Sequence, residues 1–134
     1  MAGPLPSAMM RAVVAVLACI AVGIVAVLHV AFFVLESFLW TKPAGRRIFG
    51  LSRELAESTK SLAANQGLYN AFLAAGLIWG LLPGPHAFAV RVFFLSCVII
   101  AGIVGALTAK RSILFVQALP GAVALLLVLI QWKG

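Results

Sequence analysis

Four long apolar stretches, each separated from the next by a short polar or basic segment, constrain the fold of this chain most strongly. Only 10% of its 134 residues are charged, whereas a soluble globular domain carries about 25%. Such a chain cannot cover its surface with polar groups, so lipid must replace water as its solvent. A transmembrane helix needs about 20 mainly apolar residues, and each stretch has a suitable length. We therefore predict four membrane-spanning helices.

The predicted fold class is all-α: an integral membrane four-helix bundle that forms a single polytopic domain over residues 1–134. The helices are expected at about residues 12–40, 61–82, 86–108 and 113–132. The segment 42–60, between the first two helices, is the only substantial loop. Within it Ile48, Leu51 and Leu55 recur at helical spacing, which predicts a short amphipathic helix on the membrane surface. The alternative is an ordinary connecting helix with a solvated face.

The basic residues predict an orientation. Seven of the ten lie in the first and third loops and three lie on the opposite side, namely Lys42, Arg46, Arg47, Arg53, Lys60, Lys110 and Arg111 against Arg11, Arg91 and Lys133. Positive residues concentrate on the cytoplasmic side of a membrane. We therefore expect both basic loops in the cytoplasm and both termini outside it. The net charge of +7 does not indicate nucleic acid as a partner, because no exposed basic face with interleaved aromatic residues occurs.

The stretch 65–70, Asn-Gln-Gly-Leu-Tyr-Asn, places three amides and a phenol in the second predicted helix. Buried polar groups without partners cost about 1–3 kcal/mol each, so we expect these side chains to serve a purpose. With Asn65 at 0° on a helical wheel, Tyr69 falls at about 40° and Asn70 at about 140°. Gly76 and Gly80 fall within the same arc. The pattern predicts a polar, small-residue face that turns inward.

Polar side chains of the other helices are expected at a similar depth. Glu36 lies roughly 6 Å from the cytoplasmic end of the first helix, and Gln117 roughly 6–8 Å into the fourth. His29 lies deeper, near the midplane. We therefore predict a polar pocket in the cytoplasmic half of the bundle, with His29 as its floor. The candidates for ligand binding are Asn65, Gln66, Tyr69, Asn70 and Gln117, and those for proton coupling or acid/base chemistry are Glu36 and His29.

Each of these polar groups also has a structural interpretation, because interhelical hydrogen bonds of about 0.6 kcal/mol on average hold membrane helices together. We favour that interpretation for Gln117 and Thr108, and a functional pocket for Glu36 with the stretch 65–70. For His29 the two interpretations are even. Neither a metal nor a cofactor is expected. Glu36 and His29 alone are too few ligands for zinc, and no phosphate loop or nucleophile elbow occurs.

Several segments together resemble a bacterial family catalogued as domain of unknown function 1304. They are Glu36 with Leu39-Trp40, Arg-Ile-Phe-Gly at 47–50, Asn-Gln-Gly-Leu-Tyr-Asn-Ala-Phe-Leu-Ala-Ala-Gly-Leu at 65–77, Ala-Gly-Ile-Val-Gly-Ala at 101–106 and Gln-Ala-Leu-Pro at 117–120. The resemblance covers nearly the whole chain after its first ten residues, and the motif at 65–77 is specific. It implies a small four-helix, multi-pass protein of the bacterial inner membrane. It implies no activity.

Three functions stay open. In a proton-coupled small-molecule transporter, Glu36 would be the titratable group, and the amides with Tyr69 would bind the solute. In an intramembrane enzyme with isomerase-like chemistry on a lipophilic substrate, Glu36 or His29 would act as acid or base. There Asn70 and Tyr69 would polarise the substrate. The third function is a structural or partner-binding subunit.

The expected partners are the lipid bilayer and an unidentified small or lipophilic ligand. A second copy of the chain is a further candidate, since a bundle this small often forms a homo-oligomer. Small residues four apart let helices approach closely, and they form one stripe of the third helix, at Cys97, Ala101, Gly105 and Thr108.

Overall fold

The computed structural model describes residues 7–133, and these are all helical or in short connections, with no strand among them. Residues 1–6 and 134, which include both chain ends, lie outside the described part. The described helices are α1 (Ser7–Ser37), α2 (Pro43–Phe49), α3 (Arg53–Leu81), α4 (Ala87–Thr108) and α5 (Leu119–Lys133), with a π-helical turn at Leu114–Ala118. The prediction of an all-α fold is therefore confirmed.

Three of these helices are long and apolar enough to cross a membrane, which indicates a membrane protein. The segments that qualify by length and composition are Ala8–Ser37, Ala87–Thr108 and Leu114–Trp132. α3 is not among them. Its 29 residues would extend about 43 Å at the rise of an α-helix, so its length is sufficient. Its charged first turns and the amides of 65–70 lower its mean hydropathy, and a fourth crossing stays a prediction.

The segment between α1 and α3 differs from the prediction. The short helix α2 is present, but it ends at Phe49. The next residue, Gly50, caps it in a left-handed backbone conformation (φ 67°, ψ 39°) that suits glycine. Ser52 then caps α3, because its Oγ accepts a hydrogen bond from the N–H of Leu55 at 3.1 Å. The expectation that Ile48, Leu51 and Leu55 share one amphipathic helix is wrong, because this break separates them. α3 consequently begins at Arg53 rather than near 61.

The chain divides into two compact units, and α1 and α3 each contribute to both. In the unit formed by the described residues up to Val25 and from Gly76 onward, α4 and α5 are antiparallel. A Cβ atom at Gly102 would lie 2.7 Å from the backbone nitrogen of Ala118, and one at Gly121 would lie 2.9 Å from Cγ1 of Val98. The absence of these Cβ atoms lets the two helices approach closely.

The buried stripe of α4 is not the expected one. Leu95, Val98 and Gly102 are buried, whereas Ala101 and Thr108 of the predicted small-residue stripe are exposed. The buried face of α4 is thus the one that carries Val98 and Gly102, which contact Gly121 and Ala118. The other two residues of that stripe, Cys97 and Gly105, are partly buried, and homo-oligomer formation stays a prediction.

The second unit, residues 26–75, holds the end of α1, all of α2 and most of α3. α1 and α3 are antiparallel here, since Glu36 contacts Asn70 and Trp40 contacts Thr59. A Cβ atom at Gly67 would collide with Oγ of Ser37 in α1. This glycine therefore allows the close approach of the two helices.

Candidate functional site

One hydrogen bond joins the end of α1 to the middle of α3. Nδ2 of Asn70 donates to Oε2 of Glu36 at 2.7 Å, within the usual range for a charge-assisted hydrogen bond. The same Nδ2 lies 3.4 Å from the backbone oxygen of Gln66. Asn70 is only 7% exposed, and Glu36 is partly buried. The sequence-predicted partnership of Glu36 with a residue of the stretch 65–70 therefore exists, and the residue is Asn70.

The sequence of α3 explains why Asn70 is the partner. From residue 63 to the end of this unit, the buried positions of α3 are small residues at spacings of three and four, interrupted by one amide: Ala63, Gly67, Asn70 and Ala74. The close contact of Gly67 with Ser37 and with the backbone oxygen of Phe33 holds α1 and α3 near each other. Asn70 follows Gly67 by three residues, so it lies on the same face, one turn along.

A cleft of about 270 Å³ opens beside Glu36. Its walls carry one carboxylate, one ammonium group, three hydroxyls and two aromatic rings, from Glu36, Lys60, Ser37, Thr41, Ser61, Phe38 and Trp40, and Ala64 completes the lining. All of these residues belong to the unit 26–75. The cleft thus combines donors, acceptors and apolar surface, as binding sites for small molecules do.

Trp40 forms a fixed wall of this cleft. Its Nε1 donates to Oγ1 of Thr59 at 3.0 Å, and its ring lies 4.7 Å from that of Phe49, centroid to centroid. Thr59 in turn donates to the backbone oxygen of Leu55 at 2.6 Å. The indole is therefore held by α2 and by the first turns of α3, although no helix contains it.

Lys60 supplies the positive charge at the rim. Its Nζ lies 3.4 Å from Oε2 of Glu57, and both side chains are more than half exposed, at 63% and 52%. An exposed ion pair of this kind contributes about 0–1 kcal/mol. The ammonium group can therefore leave Glu57 for a ligand at little cost.

The remaining residues of the stretch 65–70 point elsewhere. Asn65, Gln66 and Tyr69 are exposed, and the Tyr69 ring packs edge-on against that of Phe72 at 6.3 Å. The expectation that the whole polar arc turns inward is wrong for these three side chains. The face of α3 that turns toward α1 is set by the close contact of Gly67 with Ser37, not by the polar residues used to orient the helical wheel. Ligand binding by Asn65, Gln66 and Tyr69 stays a prediction.

His29 and Gln117 also have defined surroundings. His29 is fully buried, with its ring 5.6 Å from that of Phe32 in a T-shaped contact. It precedes Glu36 by two helical turns, about 10 Å along the axis, and its role as pocket floor stays a prediction. Nε2 of Gln117 donates to the backbone oxygen of Val98 at 3.3 Å. This interhelical bond is the structural role favoured for Gln117.

Apart from Glu36, the residues that line the cleft are not among the site residues predicted from the sequence. Ser37, Thr41, Lys60 and Ser61 lie where α1 and the first part of α3 adjoin the connecting segment. For Ser37 and Thr41 the available signal was a hydroxyl within five residues of Glu36, and for Lys60 and Ser61 the sequence offered none. In the part of the chain that the structure describes, no three His, Cys, Asp or Glu residues gather as metal ligands would.

Comparison with known proteins agrees with the resemblance seen in the motifs. Residues 23–129, a range that contains Glu36, Asn70 and the whole cleft, match the family model described as a protein of unknown function (DUF1304). The uncharacterized protein YpaA of Lactococcus lactis subsp. lactis (strain IL1403) is 28% identical over 85 residues, which are 62% of this chain and 71% of that protein. No solved structure matches the chain.

Proposed function

The chain belongs to the DUF1304 family of proteins of unknown function, and we propose from the cleft beside Glu36 that it is a proton-coupled transporter of a small polar solute. The observation that carries this proposal is that one carboxylate both binds a buried amide and faces the cleft. Glu36 accepts a hydrogen bond from the buried Asn70 and also forms a wall of the cleft. Ionisable residues inside a membrane are functional candidates by default.

The coupling follows from the acceptor capacity of the carboxylate. An ionised carboxylate offers about four lone-pair sites, and Asn70 occupies one of them. Either a proton or a donor group of the solute can take another site. Protonation removes the negative charge that holds the solute, so the two compete for Glu36. This competition is the minimum that proton-coupled exchange requires.

The cleft also favours a class of solute. Its volume of about 270 Å³ is near the lower limit of ligand pockets, so the solute is small. An amine or hydroxyl group would donate to Glu36, and the faces of Phe38 and Trp40 would favour a cationic group. Lys60 at the rim would pair with an acidic group at the other end of the solute.

The membrane topology in this proposal has four crossings. α3 leads through the short connection 82–86 directly into α4, which is long and apolar enough to span. Gly76 and Gly80 pack on Phe94 and Arg91 of α4, so the last turns of α3 run beside a spanning helix. Five of the ten basic residues belong to the same unit as the cleft, which supports a cytoplasmic opening in a bacterial inner membrane with both termini outside.

Solute-driven proton flux in proteoliposomes tests the proposal. A panel of small amines, amino acids and amino alcohols would be added outside vesicles that contain a pH-sensitive dye. We expect flux with the natural protein and with Glu54→Gln, which alters an exposed carboxylate outside the cleft. We expect none with Glu36→Gln. Equal flux through Glu36→Gln would refute the coupling role, as would a folded protein that moves no solute of the panel.

The second candidate is a structural role for the same hydrogen bond. The contact between Glu36 and Asn70 joins two helices, and such a bond stabilises a membrane protein whether or not it carries solute. Measuring the melting temperature beside the flux separates the two functions. Loss of flux without loss of stability supports transport, whereas loss of stability alone supports the structural subunit. Bound lipid or isoprenoid that native mass spectrometry detects on the natural protein but not on Glu36→Gln would instead support the intramembrane enzyme.

A further inference from the structure

A second cleft lies at the end of the molecule where α4 begins and α5 ends. It encloses about 260 Å³ and is lined by Gly84, Pro85, Ala87, Phe88, Arg91, Gln131 and Trp132. All of these residues belong to the unit that contains α4 and α5. The proposed transport site is in the other unit and shares no residue with this cleft.

Arg91 is the charged group of this cleft, and its side chain is positioned by three contacts. Its Nε donates to the backbone oxygen of Ala87 at 3.2 Å, and its Nη1 donates to Oε1 of Gln131 at 3.4 Å. A Cβ atom at Gly80 would lie 2.7 Å from Cγ of Arg91, so the stem of the arginine rests on α3 where no side chain intervenes. A guanidinium has five N–H donors, and these bonds use two.

Among the described residues, the ion pair is that of Lys60 with Glu57, and Arg91 forms none. The unit that contains Arg91 has no Asp or Glu side chain, since Glu36, Glu54 and Glu57 all belong to the unit 26–75. A partly buried guanidinium without a carboxylate partner needs an anion from elsewhere, because removing charge from water without compensation is costly.

The aromatic residues of the cleft indicate its depth in the bilayer. Phe88 and Trp132 stack with ring centroids 4.2 Å apart and planes 19° apart, and the indole is 68% exposed. Exposed tryptophan at the end of a spanning helix is typical of the membrane–water interface, at the level of the lipid headgroups. At that level the abundant anion is the phosphate of a phospholipid.

We infer that this cleft binds the phosphate group of an anionic phospholipid, which Arg91 and Gln131 contact while Phe88 and Trp132 pack against the adjoining glycerol and acyl chain. A planar guanidinium fits two phosphate oxygens at once. The amide of Gln131 contributes a further donor. Lipid phosphate and free inorganic phosphate share this chemistry, but only the lipid also uses the aromatic pair.

Lipid titration of the detergent-purified full chain tests this inference. Phosphatidylglycerol, phosphatidylcholine and inorganic phosphate would be compared by native mass spectrometry and by the shift in melting temperature. We expect phosphatidylglycerol to bind and to raise the melting temperature more than the other two. Arg91→Gln should weaken its binding about tenfold or more, since a charge-assisted, bidentate contact is lost. Arg91→Lys should recover part of the affinity, because it keeps the charge without the planar fork.

The control is Arg111→Gln, which removes an exposed arginine of the same unit from the connection at the other end of α4. It should bind phosphatidylglycerol as the natural protein does. Equal losses in both variants would overturn the inference, because they would indicate general electrostatic attraction. Equally tight binding of inorganic phosphate would overturn the assignment to lipid. If Arg91→Gln fails to fold, Arg91→Lys decides, and unchanged affinity in that variant overturns the bidentate contact.

Discussion

Replacing Asn70 by alanine should destabilise the protein by about 1–2 kcal/mol, and the structure indicates why. The change removes the Nδ2 group that donates to Glu36 at 2.7 Å, in a side chain that is 7% exposed. Interhelical hydrogen bonds in membrane proteins contribute about 0.6 kcal/mol on average and at most about 1.7. A short bond to a carboxylate belongs near the upper limit, and loss of the buried amide from the packed interface adds to it.

A double-mutant cycle isolates the hydrogen bond from the packing change. Unfolding free energies would be measured for the natural protein, Asn70→Ala, Glu36→Ala and the double variant, by denaturant titration in detergent micelles. We expect a coupling energy of about 1 kcal/mol between the two positions. The matched control is Asn65→Ala, the same substitution on an exposed residue of the same helix, which should change stability by no more than about 0.5 kcal/mol.

Two results would refute this reasoning. A coupling energy indistinguishable from zero would mean that the amide and the carboxylate do not depend on each other. An equal loss in Asn65→Ala and Asn70→Ala would mean that the helix, rather than the contact with Glu36, responds to removal of an amide.

Three further predictions concern α1 and α3. Gly67→Ala should destabilise the protein by about 1–3 kcal/mol, because the Cβ of the new alanine would collide with Ser37. Gly23→Ala should instead stabilise the protein by about 0.5–1 kcal/mol, since nothing lies within 4 Å of the new Cβ. Thermal unfolding measures both variants. A change of stability in the same direction in both would contradict the packing argument. At the exposed start of α3, hydrogen bonds to backbone N–H and to Ser52 lower the pKa of Glu54 below its ordinary 4.5. Its contribution to stability is therefore present above that value and is lost as the pH falls through the lowered pKa. Glu54→Gln should flatten this part of the stability–pH profile, and an unchanged profile would contradict the assignment.

The helical part of the fold was predictable because its signals are local. The apolar runs of α1, α4 and α5 identify membrane-compatible helices from length and hydropathy alone. The ranges 61–82 and 86–108 predicted the turn between α3 and α4, and the structure ends α3 at Leu81 and begins α4 at Ala87. The connecting segment was less predictable, because one glycine in a left-handed conformation and one serine cap divide a continuous helical pattern.

The candidate site was predictable only in part. The pairing of Glu36 with an amide of 65–70 followed from matching depths in antiparallel helices, and depth depends only on the rise per residue. Which amide turns toward Glu36 did not follow, because a helical wheel relates residues within one helix and does not show where the next helix lies. The cleft lining was missed because Thr41 and Lys60 are separated in sequence by a connection whose path the sequence does not reveal.

By itself the sequence determined that this is an all-helical membrane protein with a polar interruption in its second long helix. Hydropathy and helical length are sums over neighbouring residues, so no tertiary contact is needed to evaluate them. The tertiary structure alone decided that Asn70, and not Tyr69 or Asn65, meets Glu36. The physical reason is where the two backbones approach most closely. Gly67 has no side chain, so α1 packs against α3 at that position. Asn70 lies one turn farther along the same face, and its amide therefore faces Glu36.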